Sequence, residues 1–231
     1  MKNLYLADSY LREWTTKVEN ASGKSVTLSE SAFYPAGGGQ PCDFGTISCN
    51  GTEYIVSGVS KKEGIQVDRE GLSAGDSVRC ILDWERRYRL MRMHTAAHIL
   101  IAVMYKDDVL VTGNQLDTEK SRIDFSLEEM NRQKIGKCFE TANDIVKKDI
   151  PVTFTFMKRE DVLMHKHLAK LAAGLPDIDE MRIVRIGGGE MIDEQVDGGT
   201  HVRSTGEIGG IVLLSVENKG RSNRRVYYTI E

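Results

Sequence analysis

Two imidazoles stand four residues apart, His94 and His98, in the run MHTAAHIL at residues 93–100. On an α-helix that spacing is slightly more than one turn, so both rings leave from one face and can grip a single metal ion. Many zinc sites use it. A zinc peptidase would carry glutamate directly after the first histidine as its general base; position 95 is Thr95, and the peptidase reading fails. Two histidines alone also fit the polar edge of a packed helix, so a metal requires further donors. His201, in DEQVDGGTHVRSTGEIGGI, is the best third candidate. Gly198 and Gly199 precede it, and glycine permits backbone conformations closed to other residues, which suits a loop that approaches a site closely. Asp197, four residues before His201, offers a carboxylate oxygen. His94, His98, Asp197 and His201 together make a zinc-compatible donor set drawn from a helix and a loop.

The elements that must position these donors follow from the hydrophobic pattern. Up to about residue 82 the chain holds short β-like runs punctuated by Gly, Ser and Asn: VTLSES, GTISCNGTEYIVSGVS, GIQVDREG and DSVRCIL. Such spacing predicts a small barrel or sandwich. From DWERRYRLMRMHTAAHILIAVMY the period becomes helical, with Leu90, Ala97, Leu100, Ile101 and Met104 recurring on the helix that carries both histidines. A boundary near residues 83–86 gives two domains, 1–84 and 85–231. In the second, KSRIDFSL reads as a strand and Ser126 with Glu129 as a capping box. The helix that follows stripes Leu127, Met130, Cys138, Ala142, Ile145 and Val146, and stops before Pro151. PVTFTFMK reads as a strand, REDVLMHKHLAKLA as a helix, and MRIVRI, GGIVLLSVE and RRVYYTI as strands. The expected fold class is α+β: a β-barrel-like domain, then a two-layer α/β sandwich.

Composition narrows the setting. The chain has 231 residues, a formal charge of −3 and 40% apolar residues, so polyanion binding requires a local basic surface rather than the total charge. The start, MKNLYLADSYLREW, breaks its apolar run with Asp8 and Arg12, unlike a signal peptide. No apolar run is long enough to span a membrane. Cys42, Cys49, Cys80 and Cys138 form no C-x-x-C pair; they read as reduced thiols of a cytosolic protein and not as metal ligands.

HTAAHIL together with GGTHVRSTGEIG resembles the editing domain shared by alanyl-tRNA synthetases and their free-standing relatives, the AlaX alanyl-tRNA editing proteins. SAFYPAGGGQPCDFG resembles the glycine-rich signature of the β-rich domain that precedes editing domains in that family. WERRYRLMRMHTAAHIL, TGNQL with RIDF, and VENKGRSNRR extend the likeness over essentially the whole chain. The length matches the medium-sized stand-alone editors, since no aminoacylation domain fits. One position departs: where the synthetases usually carry Cys four residues before the last His, this chain has Asp197. Thiolate binds zinc more tightly than carboxylate and oxygen favours harder ions, so a different divalent metal stays open.

The resemblance implies a zinc-dependent, cytosolic hydrolase that removes serine, and also glycine, from mischarged alanine tRNA in trans. It implies that the loop of Gly37, Gly38, Gly39 and Gln40 folds over the site, with Gln40 reaching the aminoacyl-adenosine end; the residues alone also fit a glycine turn or a phosphate cradle. Serine recognition calls for a hydrogen-bonding group, and Thr95, Thr112 and Thr200 are the candidates, Thr112 preferred. Arg86, Arg87, Arg89 and Arg92 on the helix, and Lys219, Arg221, Arg224 and Arg225 near the C-terminus, are the candidate phosphate contacts. His165 and His167 read as surface residues. Two competitors remain: a module that binds tRNA ends without hydrolysis, and a metal hydrolase for an unrelated small ester or amide.

Overall fold

The computed structural model describes residues 1–129, 131–165, 168 and 177–231. The chain forms two compact units, Met1–Leu90 and Met91–Glu231.

The first unit contains β1 (Lys2–Asn3), β2 (Glu13–Ser22), β3 (Ser25–Leu28), β4 (Glu30–Ser31), β5 (Gly45–Cys49), β6 (Thr52–Ser60), β7 (Gly64–Val67) and β8 (Ser77–Leu82). Six of them close a barrel in the order β2-β3-β7-β6-β5-β8, the expected barrel-like domain. Alternation explains it: on β2, Trp14, Thr16 and Val18 point inward while Glu13, Thr15 and Lys17 face water. That strand went unrecognised in the sequence although its period-2 pattern is plain. Asn50 and Gly51, both at positive φ, turn β5 into β6 in the left-handed geometry that two-residue hairpins favour. The barrel core includes Phe33, Ile47, Ile65 and Cys80, each 0% exposed, with Trp14 edge-on to Phe33 at 4.9 Å between ring centres. Each such apolar side chain contributes roughly 1.5–3 kcal/mol by leaving water.

Helix α1 (Trp84–Tyr105) begins after the barrel, and the division between the units falls within it. From Met93 to Ala102 every residue is buried, so this stretch is enclosed on all sides and not only along the expected stripe. The remaining elements are β9 (Val111–Gln115), β10 (Ser121–Phe125), α2 (Arg132–Lys147), β11 (Val152–Lys158), α3 (Arg159–Met164), β12 (Glu180–Gly187), β13 (Met191–Val196), β14 (Ile211–Asn218) and β15 (Arg224–Ile230). They build two antiparallel sheets, β14-β15-β10-β9 and β11-β12-β13, completing the α+β architecture.

The start of α2 corrects the sequence reading. Ser126 does not cap it; its hydroxyl accepts from the Leu110 amide at 2.9 Å, and the cap is Asn131, whose side chain accepts from the Lys134 amide. Leu127 therefore precedes the helix, whereas Cys138, Ala142, Ile145 and Val146 form its buried face. Met130, and His167 with the C-terminal part of REDVLMHKHLAKLA, lie outside the described residues. His165 is exposed. The four cysteines are free, and burial pushes the thiols of Cys80 and Cys138 up to about 12. Among the described residues no helix is long and apolar enough to cross a membrane.

Candidate metal centre

Helix α1 presents His94 and His98 one turn apart, and the loop after β13 brings Asp197 and His201 to them. The four donor atoms lie within 4.8 Å of one another. The Asp197 carboxylate is 3.3 Å from His94 Nε2, 3.7 Å from His98 Nε2 and 3.2 Å from His201 Nε2. Zinc–nitrogen and zinc–oxygen bonds of about 2.0–2.1 Å set tetrahedral neighbours about 3.4 Å apart. The donor set fits that ion in both type and spacing.

The outer contacts prepare the rings. His98 Nδ1 donates to Asp193 Oδ2 at 2.9 Å, and the Gln195 side chain lies beside the same ring. The Thr95 hydroxyl donates to the Met91 carbonyl at 3.0 Å, which leaves its oxygen to accept from His201 Nδ1 at 3.1 Å. In both histidines the proton is held on Nδ1, and Nε2 is directed at the cluster. A carboxylate behind a ligating histidine fixes the tautomer and ring orientation and raises ligand basicity. Asp193 and Gln195 were missed in the sequence. Their signal is there, since two polar residues two apart in MIDEQV occupy the face that strand alternation buries.

Glycine serves the loop by close approach. A Cβ on Gly199 would sit 2.3 Å from His94 Cε1, while one on Gly198 would meet nothing within 4 Å. Neither residue has positive φ, so the conformational reason inferred from the sequence is replaced at Gly199 by a steric one. Arg182 of β12 steadies the loop by donating to the Gly199 carbonyl at 2.8 Å.

Electrostatics favour a cation here. Burial opposes protonation of His98, but Asp193 and Asp197 outweigh it and raise the imidazole to about 9. Burial would raise the Asp197 carboxyl, yet His94, His201 and His98 hold it well below the usual carboxylate range. Burial, followed by the charges of His94 and His98, drives His201 well below an ordinary imidazole. The cluster thus holds one carboxylate among three rings, a place a divalent ion takes by displacing protons. Asp193→Asn is expected to weaken zinc binding about 10- to 100-fold. Competition against a chromophoric chelator measures this, and an unchanged affinity would remove Asp193 from the supporting shell.

The other sequence candidates are distributed as follows. Thr95 and Thr200 are both 0% exposed, and the Thr95 hydroxyl bonds Met91 and His201. Thr112 is exposed on β9, its hydroxyl 3.2 Å from the Asp124 carbonyl and 3.0 Å from Asn223 Oδ1. Gly37, Gly38, Gly39 and Gln40 form a tight turn in the first unit: Gly37 and Gln40 exchange backbone hydrogen bonds of 3.0 Å, and Gly38 and Gly39 have positive φ. Gly37 and Gln40 therefore spend their N–H groups within the turn. Gln40 is 2% exposed.

Two of the eight basic candidates are corrected. Arg87 is 0% exposed, bound to Asp43 through Nε at 3.0 and 3.1 Å and to the Ser9 carbonyl at 2.9 Å. Arg224 is 5% exposed and donates to the carbonyls of Gly220, Asn223 and Glu128. Both knit the fold and neither presents a cation to solvent. Arg92 holds the Ile208 carbonyl at 2.6 Å, Arg225 forms a two-bond pair with Asp124, and Arg86 lies over Phe44 and bonds the Cys42 carbonyl. Lys219 pairs with Glu217 at 2.8 Å, Arg221 is exposed and Arg89 is half-buried.

Residues 181–227 match the threonyl and alanyl tRNA synthetase second additional domain, and residues 6–86 match the class II (A) tRNA synthetases. The chain is 42% identical to the alanyl-tRNA editing protein AlaX-M of Saccharolobus solfataricus, over 100% of this chain and 99% of that one. It is 43% identical to AlaX-M of Methanosarcina acetivorans, with 98% of each covered. It is also 35% identical to the alanine–tRNA ligase of Pyrobaculum neutrophilum over 94% of this chain and 25% of the ligase. The chain belongs to the AlaX-M family of alanyl-tRNA editing proteins.

Proposed function

We propose that this protein is a trans-acting aminoacyl-tRNA deacylase that hydrolyses the ester joining serine, and also glycine, to the 3′ end of alanine tRNA, with zinc held by His94, His98, Asp197 and His201. The observation carrying this reading is the convergence of those four donors in a chain that matches alanyl-tRNA editing proteins from end to end. Serine differs from alanine by one hydroxyl and glycine is smaller, and binding discriminates such changes only about 10- to 200-fold. A second site that checks the charged tRNA multiplies that fidelity.

When bound, zinc supplies a Lewis acid beside the ester. The protein's own contribution is orientation. Asp193 and Thr95 hold the Nδ1 protons of His98 and His201, Gly199 lets the loop close against His94, and Arg182 fixes the loop carbonyl. Of the three candidate hydroxyls Thr112 alone is exposed, and it is assigned to the serine hydroxyl. Exposed Lys219 and Arg221, with Arg89, supply phosphate contacts whose strength falls with salt. The reading places this activity in the cytosol.

The test is deacylation of seryl-, glycyl- and alanyl-tRNA built on one alanine tRNA. Loss of serine and glycine with alanine retained is expected; equal loss of all three, or of none, contradicts the proposal. Asp197→Cys is expected to tighten zinc binding, because thiolate is the stronger zinc donor. An unaltered affinity in a chelator competition would take Asp197 out of the ligand set.

A further inference from the structure

One face of the β11-β12-β13 sheet runs continuously from the metal cluster to an exposed edge. Gln195, beside His98, is paired with Val184 of β12, which is paired with Phe154 of β11. In the next row Arg182, whose carbonyl accepts from the Asp197 amide at 3.0 Å, is paired with Phe156. At a strand spacing of about 4.8 Å, Phe154 lies two strands and about 10 Å from Gln195 on the same face.

The edge of this face is unusual in composition. Phe154 and Phe156 are 41% and 42% exposed, edge-on to each other with centres 5.9 Å apart. Two exposed phenylalanines on an edge strand invite aggregation and stand out against the charged edges that proteins ordinarily use. The Arg182 guanidinium lies 4.5 Å over the Phe154 ring and so stiffens it. Strand alternation puts Lys158 next along the same face, its ammonium 3.8 Å from Glu160 with both side chains 75% exposed, a pair worth little in water. Aromatic rings in series with an exposed cation are the combination that grips single-stranded nucleic acid, bases stacking on rings and phosphate meeting charge.

We propose that Phe154 and Phe156 form a stacking platform for the unpaired bases adjoining the charged end of the tRNA, with Lys158 at the neighbouring phosphate. This rests on the deacylase reading for the identity of the nucleic acid. It gives the substrate a second anchor on the floor that carries His98's supporting residues, so that the ester is positioned by bases about 10 Å away.

The test uses the full-length protein and a short single-stranded oligoribonucleotide with the terminal sequence of the tRNA and 2-aminopurine at the penultimate position. The wild type is expected to quench the fluorophore, and Phe154→Ala and Phe156→Ala each to weaken binding about tenfold. Phe154→Tyr should keep wild-type affinity. With an abasic penultimate nucleotide the alanine substitutions should add no further loss, since a double-mutant cycle isolates the contact. Alanine variants that bind like wild type, or that lose equally with the abasic oligonucleotide, overturn the platform. A wild type that deacylates seryl-tRNA while its binding ignores both phenylalanines overturns the platform alone. Binding through the phenylalanines by a protein that hydrolyses no aminoacyl-tRNA overturns the deacylase reading instead.

Discussion

Replacing His98 by alanine is expected to abolish stoichiometric zinc and to lower seryl-tRNA deacylation by about a hundredfold or more. His98 is the ligand candidate whose outer nitrogen is held by a buried carboxylate, its Nδ1 facing Asp193 while Nε2 faces Asp197. Loss of a supporting residue alone costs about 10- to 100-fold in such sites, so loss of the ligand sets that as a lower bound. The substitution also removes a hydrogen-bond partner of the Asp193 carboxylate, which is 1% exposed, so folding must be checked by circular dichroism beside zinc content. A folded variant that keeps zinc and full activity would remove the metal site from the account.

The second large effect concerns stability. Arg87→Ala is expected to cost about 3–5 kcal/mol, because it leaves the Asp43 carboxylate buried without its counter-charge. The Arg87 and Asp43 side chains are 0% and 1% exposed, and Asp43 Oδ2 also accepts from the Tyr34 amide at 2.6 Å. The pair ties the start of α1 to the segment carrying the glycine turn. Urea unfolding read at constant m gives the loss. Arg87→Met with Asp43→Leu should recover much of it, since replacing both charges by apolar groups removes the desolvation penalty. A loss below about 1 kcal/mol in the single variant would show that the pair is solvated, contrary to its burial.

The two predictions separate what the sequence displayed from what it hid. The donor quartet was legible because its logic is chemical: a one-turn histidine pair and a loop of Asp, two glycines and His name their own partners. The barrel was legible from its regularly spaced short β-like runs and the turn residues between them, and α1 from its helical period. What escaped was the company each residue keeps. Arg87 and Arg224 look like any cation in a basic run, and only the fold turns them inward to carboxylate and carbonyl oxygens. Asp193 and Gln195 lie in a strand that was not recognised, so the residues behind the His98 ring were invisible. The start of α2 was misjudged because Ser126 and Asn131 both suit a cap, and Ser126 is drawn off by the Leu110 amide. Gly199 was flagged for the right place and the wrong reason; close approach to His94 requires a neighbour that sequence does not show.

The central claim is that the His94–His98–Asp197–His201 cluster binds a metal and makes this chain an editing hydrolase. Its most direct test is a time course of seryl- and alanyl-tRNA, on the same alanine tRNA, with protein stripped by chelation and then restored with one equivalent of zinc. The account predicts that the stripped protein leaves seryl-tRNA intact, that zinc restores its hydrolysis, and that alanyl-tRNA survives throughout. Full hydrolysis of seryl-tRNA by folded protein shown to be free of metal would contradict it.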